Sequence, residues 1–371
     1  MDKEEFYRQL VHRYITNQAT EEELEIFFHL VENGEIDPVL ESFLAEEVAE
    51  MAEEETQHVA KQRRLWPRIA VAASVLLLLS VSVYFIFHQH PVKQIAQNQV
   101  HDIAPGNNKA ILTTRGRTIV LDSAKNGIIA NQGNVVINKK SDGQVSYDGA
   151  TRTKGAAMIY DTLTIPRGGQ HQLVLADGTK AWLNADTKIR YPENFSSKER
   201  VVELISGEAY FEVAHNAQMP FKVIVHHQII EDIGTHFNIN AYDDEPDMRT
   251  TLLEGAVRVT LNASKASVVL KPGQQSIIQP INNSISIKEA NTEAVTAWKD
   301  GYFRFDNADM ATIMRQFSRW YAVEVVYQGQ PREHEFVGKI SRNSSLQKVL
   351  NILALGGVHY KIEAKKLIIL P

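Results

Sequence analysis

The sequence of 371 residues predicts a multidomain fold: a small all-α N-terminal bundle, one transmembrane helix, an antiparallel all-β domain and a small α/β C-terminal module. Three observations predict this fold. Residues 69–87 form a run without a charged side chain. Before that run apolar residues recur at helical spacing, and after it they alternate with polar residues up to about residue 285. From residue 301 onwards helix and strand patterns follow one another.

The N-terminal segment, residues 1–60, holds three amphipathic helix patterns. The first includes Leu10 and Tyr14, the second follows a capping box of Thr20 and Glu23, and the third begins near Pro38. The segment carries 17 acidic and 3 basic residues, so phosphate would repel it, and we expect no direct binding to nucleic acid. So small a bundle buries little surface and gains stability by packing on a partner, for which a basic protein is suited. The alternative is a solvated acidic face without a partner.

The uncharged run at 69–87 reads IAVAASVLLLLSVSVYFIF. As a helix it would be about 28 Å long, close to the ~30 Å hydrocarbon core of a bilayer. A soluble helix that is apolar on every face would need a large surrounding bundle, which the neighbouring sequence does not supply. A cleaved signal peptide does not fit either, since 68 residues come first. The run therefore predicts a transmembrane helix.

The basic residues around this run predict its orientation. Four lie within 61–68, whereas Lys93 alone follows closely on the other side. Because excess Lys and Arg stays in the cytoplasm, residues 1–68 are predicted inside the cell and 88–371 outside.

Turn dipeptides and period-two alternation predict the antiparallel β domain. Such pairs join short strands, for example 172–175 with 180–183 and 201–204 with 209–213. The dipeptides are Asp142-Gly143, Asp148-Gly149, Asp177-Gly178, Ser206-Gly207 and Glu254-Gly255.

The C-terminal module, residues 301–371, combines two helices with short strands. Helices are predicted over 309–320 and 346–355, the second ended by Gly356-Gly357. The charged stretch 286–300 is interpreted as the linker that separates this module from the β domain. Trp320 and Tyr321 suit either the core of the module or a partner contact.

Catalytic chemistry is not evident in the sequence. Cysteine is absent, which excludes disulfides, thiol catalysis and cysteine-ligated metals. None of the common hydrolase, nucleotide-binding or metalloprotease motifs occurs. His226 and His227 would point to opposite faces of a strand, and the acidic run 243–247 is interpreted as a solvated turn. We therefore expect no cofactor, no metal site and no enzymatic activity on an external substrate.

Several runs carry a family signature. They read PRGGQHQLVLADGTKAWLNADTKIRYPENF at 166–195, SGEAYFEVAH at 206–215 and IGTHFNINAYDDE at 233–245. Together they resemble the periplasmic domain of FecR-type transmembrane anti-sigma factors. The stretch 314–363 resembles the secretin- and TonB-like short domain that closes such proteins in Bacteroidetes. The run RYITNQATEEELEIFFHLV at 13–31 is similar to the family's cytoplasmic motif.

The resemblance implies a signalling relay that regulates transcription. An outer-membrane TonB-dependent transducer, serving iron or polysaccharide uptake, would contact the periplasmic part. Residues 1–60 would bind an extracytoplasmic-function sigma factor, and periplasmic and intramembrane proteases would assist its release. The implied location is the inner membrane, with a cytoplasmic N-terminus. In this organisation 88–165 form a periplasmic linker and first hairpins, and 166–285 form the FecR-like β domain.

The resemblance also suggests site residues. The apolar side chains expected in the cytoplasmic core or the sigma-factor interface are Leu10, Tyr14, Leu24, Phe27, Phe28 and Phe43. Trp320 and Tyr321 are the candidates for contact with the transducer. Some family members are cut in the motif matching Gly234-Thr235, by attack of the threonine hydroxyl on the preceding carbonyl carbon. The alternative there is a plain turn between strands.

Other functions remain open from sequence alone. The segment 1–60 could assist a sigma factor rather than inhibit it, because residue chemistry does not distinguish the two. The chain could also be a periplasmic envelope adhesion or assembly protein anchored by one helix. A carbohydrate-active enzyme is a third reading, which lacks a pair of catalytic carboxylates.

Overall fold

The computed structural model describes residues 3–16, 18–40, 42–43, 102–132, 135–140, 144–148, 158–195, 198–279, 284–329 and 335–371. The chain divides into two compact units. One combines Met1–Ile36 with Ile103–Pro371, and the other is Asp37–Asp102. Of the second unit, 37–40 and 42–43 are described as helical, at the start of the third predicted helix.

Twenty-four strands and five helices with defined bounds make up the first unit. The helices are α1 Lys3–Ile15, α2 Glu21–Glu32, α3 Thr292–Thr296, α4 Met310–Tyr321 and α5 Leu346–Leu355. The strands are β1 Asn107–Asn108, β2 Ile111–Thr114, β3 Arg117–Val120, β4 Gly127–Gln132, β5 Val135–Lys139, β6 Val145–Asp148, β7 Tyr160–Ile165, β8 Gly169–Val174, β9 Lys180–Leu183, β10 Thr187–Pro192, β11 Arg200–Glu212, β12 Phe221–Val225, β13 Gln228–Asp232, β14 His236–Ala241, β15 Met248–Glu254, β16 Val257–Leu261, β17 Ser267–Leu270, β18 Gln274–Gln279, β19 Ser284–Glu289, β20 Tyr302–Asp309, β21 Glu324–Tyr327, β22 Glu335–Ser341, β23 Tyr360–Glu363 and β24 Lys366–Ile369.

The fold class predicted from the sequence is wrong. Among the described residues strands account for 46% and helices are few. None of the described helices has both the length and the apolar character needed to cross a bilayer, and residues 69–87 lie outside the described part of the chain. Among the described residues a three-helix bundle is not shown either, and most of the third predicted helix lies outside them. Instead α2 packs on α1 and lies against β22, because the ring of Phe28 covers Gly338.

Two sheets form the β domain, and strand β11 belongs to both. In the first sheet the order is β3-β2-β7-β10-β11-β12-β13-β16-β17. In the second it is β4-β5-β6-β8-β9-β11-β14-β15-β18-β19. Most pairs are antiparallel, and β11 with β12, β6 with β8 and β1 with β8 are parallel.

The long strand β11 corrects one sequence-based prediction. Residues 201–204 and 209–213 were expected to form a hairpin around Ser206-Gly207, but the chain continues without turning back. Gly207 has a φ of 105°, which bends the strand, and a Cβ atom there would lie 2.4 Å from the Thr187 hydroxyl oxygen. The first half therefore pairs in one sheet and the second half in the other.

The core of the β domain lies where the two sheets face each other. Phe211 of the second sheet contacts Phe221 of the first, with ring centroids 6.0 Å apart, and stacks on Phe237 at 5.3 Å. All three rings are fully buried. Tyr210 and Trp182 alternate with the inward residues and lie on the other face of the second sheet, where Tyr210 is also buried.

The C-terminal module follows the predicted order of strands and helices. Strand β20 pairs with β22, and β24 lies between β21 and β23. Helix α5 has the predicted bounds, while α4 begins after Asp309, whose side chain caps it. The segment 286–300, interpreted as a charged linker, instead contains most of β19 and all of α3. It also contains Trp298, whose side chain is buried.

Candidate functional site

An aromatic cluster joins α1 and α2. The ring of Tyr14 stacks on Phe27 with centroids 4.4 Å apart, and Phe28 meets both rings edge-on. The predicted capping box is confirmed, because the Thr20 hydroxyl accepts from the Glu23 amide and the Glu23 carboxylate accepts from the Thr20 amide. The cap fixes where α2 begins and so sets its aromatic residues opposite α1.

The six residues predicted for the sigma-factor interface differ in exposure. Leu10 and Phe27 are buried in the helix pair, so they support its packing. The half-buried members are Tyr14, Leu24, Phe28 and Phe43. Sequence reasoning missed Ile26, which is 44% exposed and lies off the apolar stripe of α2. An apolar side chain outside that stripe was the signal that could have found it.

Gly234-Thr235 lies in the connection between β13 and β14, beside a bulge in the pairing of β14. Gly234 has a φ of 98°. The Asp232 carboxylate accepts from the Gly234 amide at 2.9 Å and from the buried Thr235 hydroxyl. Burial raises the pKa of Asp232. The arrangement holds a hydroxyl, a carboxylate and a glycine carbonyl within three successive peptide units.

A cluster of buried charges joins the C-terminal module to the β domain. The Arg319 guanidinium donates to Asp244 at 2.7 Å and to Glu245 at 2.6 Å, and it lies 3.9 Å over the ring of Tyr242. Arg315, one helical turn away, donates to Glu245 at 2.9 Å. The acidic run 243–247, interpreted from sequence as a solvated turn, therefore binds α4 through Asp244 and Glu245. The spacing of Arg315 and Arg319 at i and i+4 was the missed signal.

Arg342 forms a second link between the module and the β domain. It donates to the Trp298 carbonyl oxygen at 3.0 Å and to Asn184 Oδ1 at 2.8 Å, and it lies 3.8 Å over the Trp320 ring. Burial lowers the pKa of Arg342 to about 10. No sequence motif distinguishes this arginine from a surface one.

Trp320 and Tyr321, the candidates for transducer contact, are both buried, with 2% and 4% of their surfaces exposed. The Trp320 indole donates to the Arg342 carbonyl oxygen at 2.8 Å, and the Tyr321 hydroxyl donates to the Ser344 carbonyl oxygen at 2.9 Å. With apolar surface covered and polar atoms paired, neither side chain offers a contact surface in this conformation.

Family models match the two regions that meet at this charged interface. The model described as FecR protein matches residues 161–258, and the model described as FecR, C-terminal matches residues 302–369. None of the curated proteins matches the sequence.

Two solved structures resemble the chain over more than half its length. One is a crystal structure of a candidate anti-sigma factor from Parabacteroides distasonis ATCC 8503 at 2.50 Å resolution. It is 30% identical, has a TM-score of 0.52, and the match covers 57% of this chain and 98% of that one. Another, of a candidate anti-sigma factor from the same strain at 1.65 Å resolution, has the same identity and TM-score, with 56% and 97% covered.

Proposed function

The chain belongs to the FecR-type anti-sigma factor family, and on this premise we propose that it is an inner-membrane regulator of an extracytoplasmic-function sigma factor. The match over 98% of a candidate anti-sigma factor is the observation that carries the proposal. Residues 1–60 would bind the sigma factor in the cytoplasm. The β domain and the C-terminal module would receive a signal in the periplasm from an outer-membrane TonB-dependent transducer.

Sigma-factor binding is supported by the apolar surface of the helix pair. Ile26 and Ile15 are 44% and 38% exposed on an otherwise acidic segment, a combination that suits a basic partner with an apolar contact area. The buried cluster of Tyr14 and Phe27 would hold the two helices at a fixed angle for that partner.

The test is co-purification of the full chain, tagged and extracted in mild detergent. We expect an extracytoplasmic-function sigma factor in the eluate and roughly tenfold weaker binding for Ile26→Ala, because truncating a central apolar contact costs about 1–2 kcal/mol. Ile128→Ala, which truncates an isoleucine that is 68% exposed in β4, is the matched control. An eluate without any sigma factor, from a folded chain, contradicts the proposal.

An inner-membrane location is supported by the uncharged run 69–87 and the basic residues before it. This location and the contact of Phe28 with Gly338 exclude each other, since the membrane would separate α2 from β22. A cysteine-free chain allows a direct test with Phe28→Cys and Gly338→Cys together.

We expect no cross-link by a short bismaleimide when that double variant is in native membranes, and a cross-link after it is purified and refolded without lipid. A variant with Glu363→Cys and Lys366→Cys, two exposed residues that lie opposite each other in β23 and β24 of the module, is the control that should react in both states. Cross-linking of 28 to 338 in membranes would overturn the proposed location.

Self-cleavage at Gly234-Thr235 is a further part of the proposal, supported by the hydrogen bond from the Thr235 hydroxyl to Asp232. The hydroxyl oxygen would attack the Gly234 carbonyl carbon, breaking the C–N bond and forming an ester. Water would then hydrolyse the ester, leaving a glycine carboxylate and a new amino terminus at Thr235.

We expect two fragments from the parent chain and one full-length band from Thr235→Ala, which lacks the nucleophile. Asp232→Asn should slow fragment formation, because an amide cannot take the hydroxyl proton. Thr260→Ala, at a hydroxyl paired with Ser267 on the surface, should behave as the parent. A single band from the parent would end the idea of cleavage.

A further inference from the structure

A polar cavity of 230 Å³ lies between the outer face of the second sheet and the C-terminal module. The sheet contributes Glu208, Asn238 and Asn240 to its wall, and the module side contributes Trp298, Phe305 and Arg342. The cavity is a partly open cleft, and the charged contacts of Arg319 hold the module on the sheet beside it. Its walls therefore come from both family domains.

The wall of the cavity is a connected hydrogen-bond network. Arg342 donates to Asn184 Oδ1 at 2.8 Å, and Asn184 Nδ2 donates to Glu208 at 2.8 Å. Asn238 Nδ2 donates to the other Glu208 oxygen at 3.0 Å, and the Trp298 indole donates to Asn238 Oδ1 at 3.3 Å. Burial raises the pKa of Glu208, and the nearby guanidinium opposes that rise. Four arginines and four acidic residues line the cavity, so its charges balance and the wall favours neither an anionic nor a cationic guest.

Two buried atoms on this wall lack a partner among the described residues: Arg342 Nε and Asn240 Oδ1. Arg342 is 3% exposed, so its Nε–H cannot reach bulk water. Buried polar atoms in native proteins are almost always hydrogen-bonded. The cavity therefore needs an acceptor beside Arg342 and a donor beside Asn240. A hydroxyl group supplies both roles, whereas an ammonium group only donates and a carboxylate only accepts.

The size of the cavity limits the guest. At ~30 Å³ for each water, its volume corresponds to roughly seven or eight waters. Pockets for drug-sized ligands are larger, about 300–1,000 Å³. The rings of Trp298 and Phe305 offer apolar faces beside the polar groups.

We propose that this cavity binds a small, uncharged, hydroxyl-rich molecule of about monosaccharide size. Bound there, the molecule contacts the sheet through Asn240 and the module through Arg342, and so stabilises their association. Binding of this molecule would be a second signal to the β domain and the module, separate from contact with a transducer. It does not depend on whether the chain regulates a sigma factor.

The test uses the full chain in detergent micelles and five neutral probes: glucose, galactose, mannose, xylose and N-acetylglucosamine. Glucuronate is the charged comparison. We expect at least one neutral sugar to bind saturably in calorimetry and to raise the unfolding midpoint, with glucuronate weaker. Asn240→Ala should weaken that binding about tenfold, the size of one lost hydrogen bond. Asn131→Ala, at an exposed asparagine of β4, should bind as the parent does.

Any of three binding results overturns the proposal: no saturable binding by any of the five sugars, equal affinity of the parent and Asn240→Ala, or a preference for glucuronate. A crystal soaked in the five sugars that shows water alone in the cavity also overturns it. Asn240→Leu, which keeps the size of the side chain but removes its polar atoms, provides a second variant in case the alanine variant unfolds. Sigma-factor co-purification measured on the same samples reports on the proposed function separately.

Discussion

Replacement of Arg319 by alanine is expected to destabilise the first unit by about 1.5–3 kcal/mol, the worth of a hydrogen bond to a charged group, because Glu245 keeps Arg315 as an ion-pair partner. Only 5% of the Arg319 side chain and 12% of the Glu245 side chain are exposed, so solvent does not replace the lost contact. The Tyr242 ring also loses the guanidinium that lies over it. Urea denaturation followed by tryptophan fluorescence measures the loss.

Limited proteolysis shows which part of the first unit is destabilised by Arg319→Ala. Because Arg319 links α4 to the β domain, Arg319→Ala should release the module, residues 302–371, well before the β domain is degraded. Arg258→Ala is the matched control: its ion pair with Glu231 is 3.5 Å long and the arginine is 46% exposed, so the expected cost is below about 1 kcal/mol. Equal losses for both variants would show that the Arg319 cluster does not hold the module in place.

Replacement of Gly255 by alanine is expected to cost about 2–5 kcal/mol. Gly255 has a φ of 86°, a conformation that costs an L-residue roughly 1–2 kcal/mol. In addition, a Cβ atom there would lie 2.1 Å from the Gly234 carbonyl oxygen, and relief of such overpacking adds about 1–3 kcal/mol. Thermal and chemical unfolding of the two chains measure the difference.

Gly178 provides a control with the same backbone conformation. Its φ is also 86°, but a Cβ atom there would meet nothing within 4 Å. Gly178→Ala should therefore cost only the backbone part, about 1–2 kcal/mol. The difference between the two variants isolates the clash with Gly234. If Gly255→Ala is no more destabilising than Gly178→Ala, the Gly234-Thr235 peptide moves away from the new Cβ atom at little cost, and its close packing on Gly255 does not fix its position.

Local patterns predicted local elements well. The capping box at Thr20 and Glu23, the helix 346–355 and the strand 180–183 depend on short-range backbone and side-chain rules, and all three are present. Ser206-Gly207 misled because a glycine at positive φ serves a hairpin turn and a bent strand equally well. The dipeptide alone does not indicate with which strands the flanking residues pair.

Long-range contacts escaped the sequence reasoning. Arg319 and Glu245 are 74 residues apart, and Arg342 and Asn184 are 158 apart, so their pairing depends on how the module packs on the sheet. The apolar stripe of α2 predicted burial of Phe27 but not the packing of α2 on strand β22, where Phe28 lies over Gly338. The family resemblance rested on specific motifs and was confirmed by the two family models and the similar solved structures, whereas the predicted fold class gave too much weight to helices.

The bent strand β11 gives the β domain mechanical continuity. One backbone carries load from β10 and β12 in the first sheet to β9 and β14 in the second, without passing through side chains. A pull on the C-terminal module reaches β14 through Trp298 and Asn238 and then spreads along β11 into both sheets. Under tension the two sheets therefore yield as one body, and a force-extension trace of this domain should contain a single rupture.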